Sequence, residues 1–334
     1  MHIRDLLKEV EASVETHCSS LAGKSRKSGL WAWADRTHGS LIKRLASVLD
    51  SRAYKSVQRL EAFPWGKLSQ EFWPIINDPE PYEVAYDKLA DDESREVFLW
   101  RLKMRLSLPL VPRWQSIFPP PPAPGVGDLT IGPEEEKFCK PFKLGQYVLR
   151  DICMPEPGDT ILDLGAFLGD TAVMFSRLVG ETGHVYSFEA LSGLFPILQQ
   201  NLNRFGCANV TPCFNAAWNK TETLYMEADS SSSRVGDSGD PVPGIRIDDF
   251  MAEHDLERVD MIKMDIEGAE QEALEGATET VCRYHPKLAL CVYHKPEDIH
   301  RLLTMAEEMY AGYRFYLRHY EPGGIGETVL YAVP

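Results

Sequence analysis

The sequence has no CxxC pair. Its seven cysteines, at 18, 139, 153, 207, 213, 282 and 291, are odd in number. The opening "MHIRDLLKEVEAS" mixes charges of both signs into its apolar residues and does not read as a secretory signal. Reduced thiols and a cytoplasmic location are therefore expected rather than a disulfide framework. No uninterrupted apolar run approaches the roughly 18 residues that a membrane span requires, so no membrane span is expected. Basic charge is also short: 35 Lys and Arg stand against 50 Asp and Glu, a net −15. That balance argues against a nucleic-acid partner gripped through its phosphates. Internal repeats are absent too.

What basic charge there is lies early. Residues 1–60 carry 11 Lys and Arg against 6 Asp and Glu, net +5, leaving −20 for the remainder. A solvated helical face accounts for this; a docking surface for an acidic partner, or for a second copy of the chain, is the alternative. Ile3, Leu6, Leu7, Val10, Val14 and Leu21 fall close to one helical face. Further helices are expected over Leu41–Leu60 and over Asp91–Leu106, "DDESREVFLWRLKMRL". Pro64, Pro74, Pro79 and Pro81 separate these pieces. At 334 residues the chain is long enough for one or two domains. The stretch "FPPPPAPGVGD" (Phe118–Asp128) can hold neither a helix nor a central strand. The expected organisation is a helical region over 1–117, a proline-rich linker over 118–128 and a second domain over 129–334.

Beyond the linker, apolar strand patterns alternate with helical ones. Strands are expected at Thr160–Leu164, His184–Phe188, Val210–Phe214, Met261–Met264, Leu288–Tyr293, Tyr313–Leu317 and Thr328–Ala332. Helices are expected at Asp170–Val179, Ser192–Phe205, Glu267–Cys282 and Pro296–Ala311. This alternation predicts a mostly parallel α/β sheet covered by helices on both faces. The link "RHYEPGGIGE" is too short for a helical crossover, so the last two strands should pair antiparallel. "ADSSSSRVGDSGDPVPG" (Ala228–Gly244) reads as a polar, mobile loop.

The most informative turn is "TILDLGAFLGDTA" (Thr160–Ala172). Gly165 lets the chain turn off the first strand, and Gly169 permits close approach of backbone to a ligand. Asp170 and Thr171 are then expected to cap the next helix. A nicotinamide site would want Gly-x-Gly-x-x-Gly here, yet Phe167 occupies the second glycine position. Asp163 and Asp170 would also repel pyrophosphate. A cationic ligand such as S-adenosylmethionine suits that field better. Glu189, 24 residues beyond Gly165, ends the second strand where an acid can accept both ribose hydroxyls. Such an acid serves NAD equally well, and it can also simply favour a helix N-terminus near Ser192.

In "DMIKMDIEGAEQEAL" (Asp260–Leu274), Lys263 and Asp265 share one face of a buried strand, and Glu267 lies in the turn after it. Buried charges are costly unless paired, so a structural Lys263–Asp265 ion pair is one reading. The other puts Asp265 at the strand's carboxyl end beside a reacting group, with Gly268 keeping the approach open.

Together, "DLGAFLGDT", "FEA", "IKMDIEGAE", "LALCVYHKPEDIHRLL" and "YRFYLRHYEPGGIGETVLYA" resemble the FkbM family of S-adenosylmethionine-dependent methyltransferases. The resemblance covers about residues 140–334. It implies a Rossmann-like class I methyltransferase sheet of seven strands in the order 3-2-1-4-5-7-6, and O-methylation of a small molecule or sugar. It further implies that Asp163, Gly165, Ala166, Gly169 and Asp170, with Thr171, line the methionine end of the cofactor. Glu189 and Ala190 would hold the ribose, Asn215 and Ala216 would shelter the adenine, and Asp265 would sit beside the transferable methyl.

Transfer of a methyl group to a hydroxyl needs orientation and a base whose pKa lies near the working pH. His294, in "VYHKPED", is the first candidate base and is expected to titrate near 6.5; His319 is the second. Asp265 could instead act as base or hold a divalent cation with Glu267. A metal is left open, since no His/Cys cluster has recognisable spacing. The alternatives are a nucleic-acid methyltransferase and a non-catalytic scaffold that keeps the cofactor fold. The first lacks an Asn-Pro-Pro-Tyr turn, and Pro212–Cys213 follows strand three rather than four.

Overall fold

Where apolar runs alternate with helical spacing, the computed structural model places a parallel sheet. It describes residues 5–6, 9–10, 12–13, 74–75, 78–107, 118–229, 232–236, 238–321 and 326–334. The chain divides into two compact units, Met1–Asp87 with Arg95–Pro121, and Lys88–Ser94 with Pro122–Pro334.

In the first unit most of the described residues are helical. α1 (Glu80–Lys88) starts with acids and ends on Lys88, which matches the sign of the helix dipole. α2 (Asp92–Ser107) replaces the expected Asp91–Leu106 helix and buries Val97, Phe98 and Leu102. The indole of Trp100 on α2 donates to the Phe118 carbonyl at 3.1 Å. Leu6 and Val10 are buried helical residues. The rest of the expected first helix, and all of Leu41–Leu60, lie outside the described residues. Residues 119–126 form neither helix nor strand.

The second unit opens with two short helices, α3 (Pro133–Phe138) and α4 (Lys140–Leu144), followed by β1 (Thr160–Leu164). Then come α5 (Asp170–Val179), β2 (His184–Phe188), α6 (Phe195–Arg204) and β3 (Val210–Cys213). α5 is capped by Gly169 at φ +89 rather than by a side chain; Asp170 is its first residue. Next are β4 (Ala216–Ala217), β5 (Glu222–Asp229), β6 (Ser232–Gly236), β7 (Asp240–Ile245) and α7 (Ile247–Glu253). The chain closes with β8 (Met261–Met264), α8 (Glu270–Glu275), α9 (Thr278–Tyr284), β9 (Lys287–Cys291), α10 (Asp298–Met309), β10 (Arg314–His319) and β11 (Thr328–Val333).

The large sheet runs β10-β11-β9-β8-β1-β2-β3. Its pairs are parallel except those made by β11, which is antiparallel to both β9 and β10. This is the order implied by the resemblance, with the antiparallel pair where the short final link required it. Its central strands are mostly apolar because both faces are covered, with Asp163 of β1 and Lys263 of β8 as buried exceptions.

Two expectations are corrected. Ala228–Gly244 is not a loop: β5, β6 and β7 build a second sheet, ordered β4-β7-β5-β6. Alternation in Leu224-Tyr225-Met226 buries Leu224 and Met226 with Ala216 and Val242, while Tyr225 stays exposed. That period-two pattern outweighs the serine, glycine and proline content around it. The single helix expected over Glu267–Cys282 is instead α8 and α9. Between them Gly276 approaches the Trp218 carbonyl so closely that a Cβ would sit 2.0 Å from its oxygen.

At the sheet edge, Leu89 bridges to Phe315 in parallel and Ala90 donates to the Phe315 carbonyl at 2.8 Å. Arg318 of β10 is buried there, with Nη2 2.7 Å from Asp91 and Nη1 donating to Ser94 Oγ at 2.8 Å. The segment thereby covers an edge that would otherwise present open hydrogen-bonding groups.

Candidate active site

Open α/β sheets bind ligands beyond the carboxyl ends of their strands, and a cleft of about 1150 Å³ opens there. Gly165, Asp170, Thr171, Glu189, Ala190 and Asn215 all line it. So do Ala216, Asp265, Glu267 and His294. One surface therefore gathers residues from the ends of β1, β2, β3, β8 and β9.

Three expected residues lie behind that wall. Ala166 is fully buried, and Gly169 turns into α5, where a Cβ would meet Leu198 at 2.7 Å. Asp163 is the third and is fully buried. It stands opposite Lys263 in the β1–β8 register, and the two side chains meet at 3.2 Å. Thr171 Oγ1 donates to both Asp163 oxygens, at 3.1 and 2.9 Å. Lys263 Nζ also donates to the carbonyl of Gly165 at 2.7 Å. Burial would lower the Lys263 pKa, but the Asp163 and Asp265 carboxylates raise it above the ordinary value. The structural partner of Lys263 is thus Asp163, not Asp265, because neighbours across a ladder are closer than charges two apart on one strand. Asp163 braces the glycine turn rather than touching the cleft.

Glu189 ends β2 with each oxygen accepting one backbone N–H, from Phe167 at 2.9 Å and Leu191 at 2.8 Å. Burial pushes its carboxyl up, and those N–H groups oppose the shift. These bonds fix the carboxylate in place on the wall of the cleft, and its two oxygens have acceptor capacity beyond them. That donor chemistry fits a ribose diol. The acids lining the cleft outnumber its lysines and suit a cationic ligand. S-adenosylmethionine, which carries both a ribose and a sulfonium, fits these residues.

At the ends of β8 and β9 the groups are differently arranged. Asp265 Oδ2 accepts from the Tyr147 hydroxyl at 2.8 Å and Oδ1 from the Tyr293 hydroxyl at 2.9 Å. Burial acts to raise the Asp265 pKa, but Lys263, His294 and the two tyrosines hold it below the usual carboxylate value. His294 Nε2 lies 3.6 Å from Asp265 and 3.7 Å from Glu267, while Nδ1 lies 2.9 Å from Glu270. None of these contacts is aligned as a hydrogen bond; both ring nitrogens and Glu270 Oε2 lack a hydrogen-bonding partner.

Burial alone would lower the His294 pKa, but Glu270, Asp265 and Glu267 raise it to about 9. The imidazole therefore holds its proton at neutral pH, contrary to the expectation of titration near 6.5. His319 does not line the cleft: it is buried, with Nδ1 on Thr328 Oγ1 at 3.0 Å and Nε2 on the Glu321 carbonyl at 2.8 Å.

Sequence reasoning passed over Tyr147, Tyr293, Glu270 and Glu327. Tyr293 lies inside "VYHKPED", beside the histidine that was singled out. Glu270 sits three residues beyond Glu267, in the first turn of α8. Tyr147 carried no signal, since it precedes β1 and takes a left-handed φ of 66°. Glu327 lines the cleft and accepts from Gln146; burial lifts its carboxyl to about 7.

Comparison with known proteins now adds to this geometry. Residues 163–315 match the model of the methyltransferase FkbM domain. The crystal structure of a methyltransferase FkbM from Methylobacillus flagellatus KT superposes with a TM-score of 0.61 at 21% identity. That match covers 79% of this chain and 60% of the other. A protein-L-isoaspartate O-methyltransferase of Aeropyrum pernix is 27% identical over 142 residues, 41% of this chain and 53% of that protein. One from Methanosarcina mazei is 41% identical over 54 residues, 16% of this chain and 22% of that protein. The chain thus spans about half the length of the Aeropyrum relative. Over its residues 163–315 the chain is thus similar to a methyltransferase FkbM domain, and its sheet has the fold of the S-adenosylmethionine-dependent methyltransferases.

Proposed function

We propose that the chain is an S-adenosylmethionine-dependent O-methyltransferase acting on a hydroxyl of a small molecule or sugar. The observation that carries this reading is one cleft with Glu189 at the end of β2 and Asp265, Glu267 and His294 together beyond β8 and β9. When bound, the cofactor supplies an electrophilic methyl carbon.

The residues divide into two tasks. Glu189 and Ala190 hold the ribose, Asn215 and Ala216 border the adenine, and Gly165, Asp170 and Thr171 flank the methionine end. Asp163, with Lys263 and Thr171, keeps the glycine turn in shape from behind. Asp265 is held by two tyrosine hydroxyls and orients the acceptor. Glu267, the more exposed carboxylate of the pair facing His294 Nε2, takes the hydroxyl proton. His294 positions both carboxylates between them. Most of the rate advantage then comes from alignment of the reactants.

A neutral hydroxyl suits this cleft better than a carboxylate acceptor, which its acids would repel. The acidic balance of the chain likewise disfavours a nucleic acid as acceptor. Calorimetry with S-adenosylmethionine and with NAD tests the cofactor. Comparing metabolites of a deletion strain, in search of a compound short by one methyl, tests the acceptor. Binding of NAD without S-adenosylmethionine would overturn the reading.

A further inference from the structure

We propose that Asp265, Glu270 and His294 form a binding site for a divalent first-row transition-metal cation. One ligand atom from each residue lies within 4.8 Å of the others. Two donors sharing one ion at about 2.1 Å each stand roughly 3–4 Å apart, so a small inward adjustment completes the set. One ring nitrogen of His294 ligates and gives up its proton to water as the ion binds; Nδ1 already meets Glu270 at 2.9 Å.

Acidic clusters without an ion are common, and a second observation sets this one apart. Glu270 is fully buried, yet its Oε2 has no hydrogen-bonding partner, and neither ring nitrogen of His294 has one. A buried polar atom left without a hydrogen bond is expensive. Charge points the same way. Asp265, Glu267 and Glu270 all face the one imidazolium of His294, and Lys263, which pairs with Asp163, compensates Asp265 in part. A dipositive ion compensates that surplus more fully than one proton does.

The surroundings are those of a metal ligand set. Tyr147 and Tyr293 each donate to one oxygen of Asp265, and the Ile266 N–H donates to Glu270 Oε1 at 2.9 Å. Outer partners of this kind fix ligating carboxylates in orientation. Two carboxylates with one imidazole suit Mn²⁺ or a neighbouring first-row ion better than Ca²⁺, which takes oxygen ligands alone. An open coordination position would face the acceptor end of the cleft and could take a hydroxyl oxygen. That consequence rests on the methyl-transfer reading; cation binding itself does not.

The test is titration of Mn²⁺ into full-length protein that has been stripped with a chelator, followed by electron paramagnetic resonance. One Mn²⁺ per chain should leave the free-ion spectrum, and its echo modulation should show one directly bound imidazole nitrogen. Glu270→Gln and His294→Ala should each weaken binding at least tenfold. Persistence of the free-ion signal, absence of nitrogen modulation in the wild type, or unchanged binding in both variants would overturn the site. The nitrogen signal belongs to the wild-type protein, so a variant that fails to fold does not remove the test. Calorimetry with S-adenosylmethionine on the same sample separates the two proposals. Cofactor binding without Mn²⁺ binding defeats the site alone, and the reverse defeats the methyl-transfer reading alone.

Discussion

Lys263 of β8 and Asp265 just beyond its end belong to two charged clusters that are finished differently. Around Lys263, Asp163 receives the ammonium and the Thr171 hydroxyl, and the remaining Lys263 protons reach the Gly165 and Leu164 carbonyls. Around His294, three carboxylates converge but both ring nitrogens and Glu270 Oε2 stay without hydrogen bonds. A closed cluster of this kind holds strands in place. An open one has capacity left for something else, and in this chain it lies on the cleft wall. Burial and charge alone do not distinguish the two; the count of unmade hydrogen bonds does.

The largest effect should come from breaking the closed cluster. Lys263→Met strands Asp163 as an unpaired buried carboxylate and should cost about 3–5 kcal/mol of stability, read from urea unfolding. Replacing both partners, with Asp163→Leu beside Lys263→Met, should restore most of that loss. A loss under about 1 kcal/mol in the single variant would show that water reaches Asp163 and that the cluster is not closed.

The open cluster should behave in the opposite way. Glu267→Gln should lower turnover by about a hundredfold or more, the usual scale for a proton-accepting group. Its unfolding free energy should change by less than about 0.5 kcal/mol, because the side chain is partly exposed. Its affinity for S-adenosylmethionine should stay within a few-fold. A stability loss as large as that of Lys263→Met would erase the contrast between the two clusters.

Glu189 sharpens the contrast from the cofactor end. Glu189→Ala should weaken S-adenosylmethionine binding about tenfold to a hundredfold, since hydrogen bonds to a charged group are worth about 1.5–3 kcal/mol. Calorimetry measures this directly. Unchanged affinity would reduce Glu189 to a clamp on the Phe167 and Leu191 N–H groups.

Much of this was legible locally. The bounds of β1 and β8 follow from apolar runs ending at Asp-x-Gly and Asp-x-Glu turns, and the antiparallel end follows from the length of one link. The illegible parts all depend on partners distant in sequence. Lys263 pairs with a residue 100 positions earlier because the β1–β8 register sets them opposite each other. The His294 environment comes from α8, and the tyrosine that holds Asp265 from the opposite side comes from a segment ahead of β1. The small β5–β7 sheet was hidden by composition, since its apolar alternation is only a few residues long.

The smallest predicted effect concerns a third charged cluster, at the β10 edge, which is half-wet and leaves Arg318 Nε without a hydrogen bond. Arg318 is buried, whereas Asp91 is about one-third exposed and Glu93, 3.1 Å from the guanidinium, about half. Burial acts to raise the Asp91 pKa, but hydrogen bonds from Arg318 and Ser94 outweigh it and hold the carboxyl below its ordinary 3.8. A carboxyl depressed on folding stabilises the native state fully above its unfolded value, and that contribution fades as pH falls through the native value. Asp91→Asn should therefore cost about 1 kcal/mol from pH 8 down to about pH 5, the scale of a partly exposed ion pair. The gap between variant and wild type should narrow steadily below that. Urea titrations of both proteins across this range measure the difference, in which the titration of every other carboxyl largely cancels. A gap that widened on acidification would mean that Asp91 is raised rather than lowered, and that Glu93 is the true partner of Arg318.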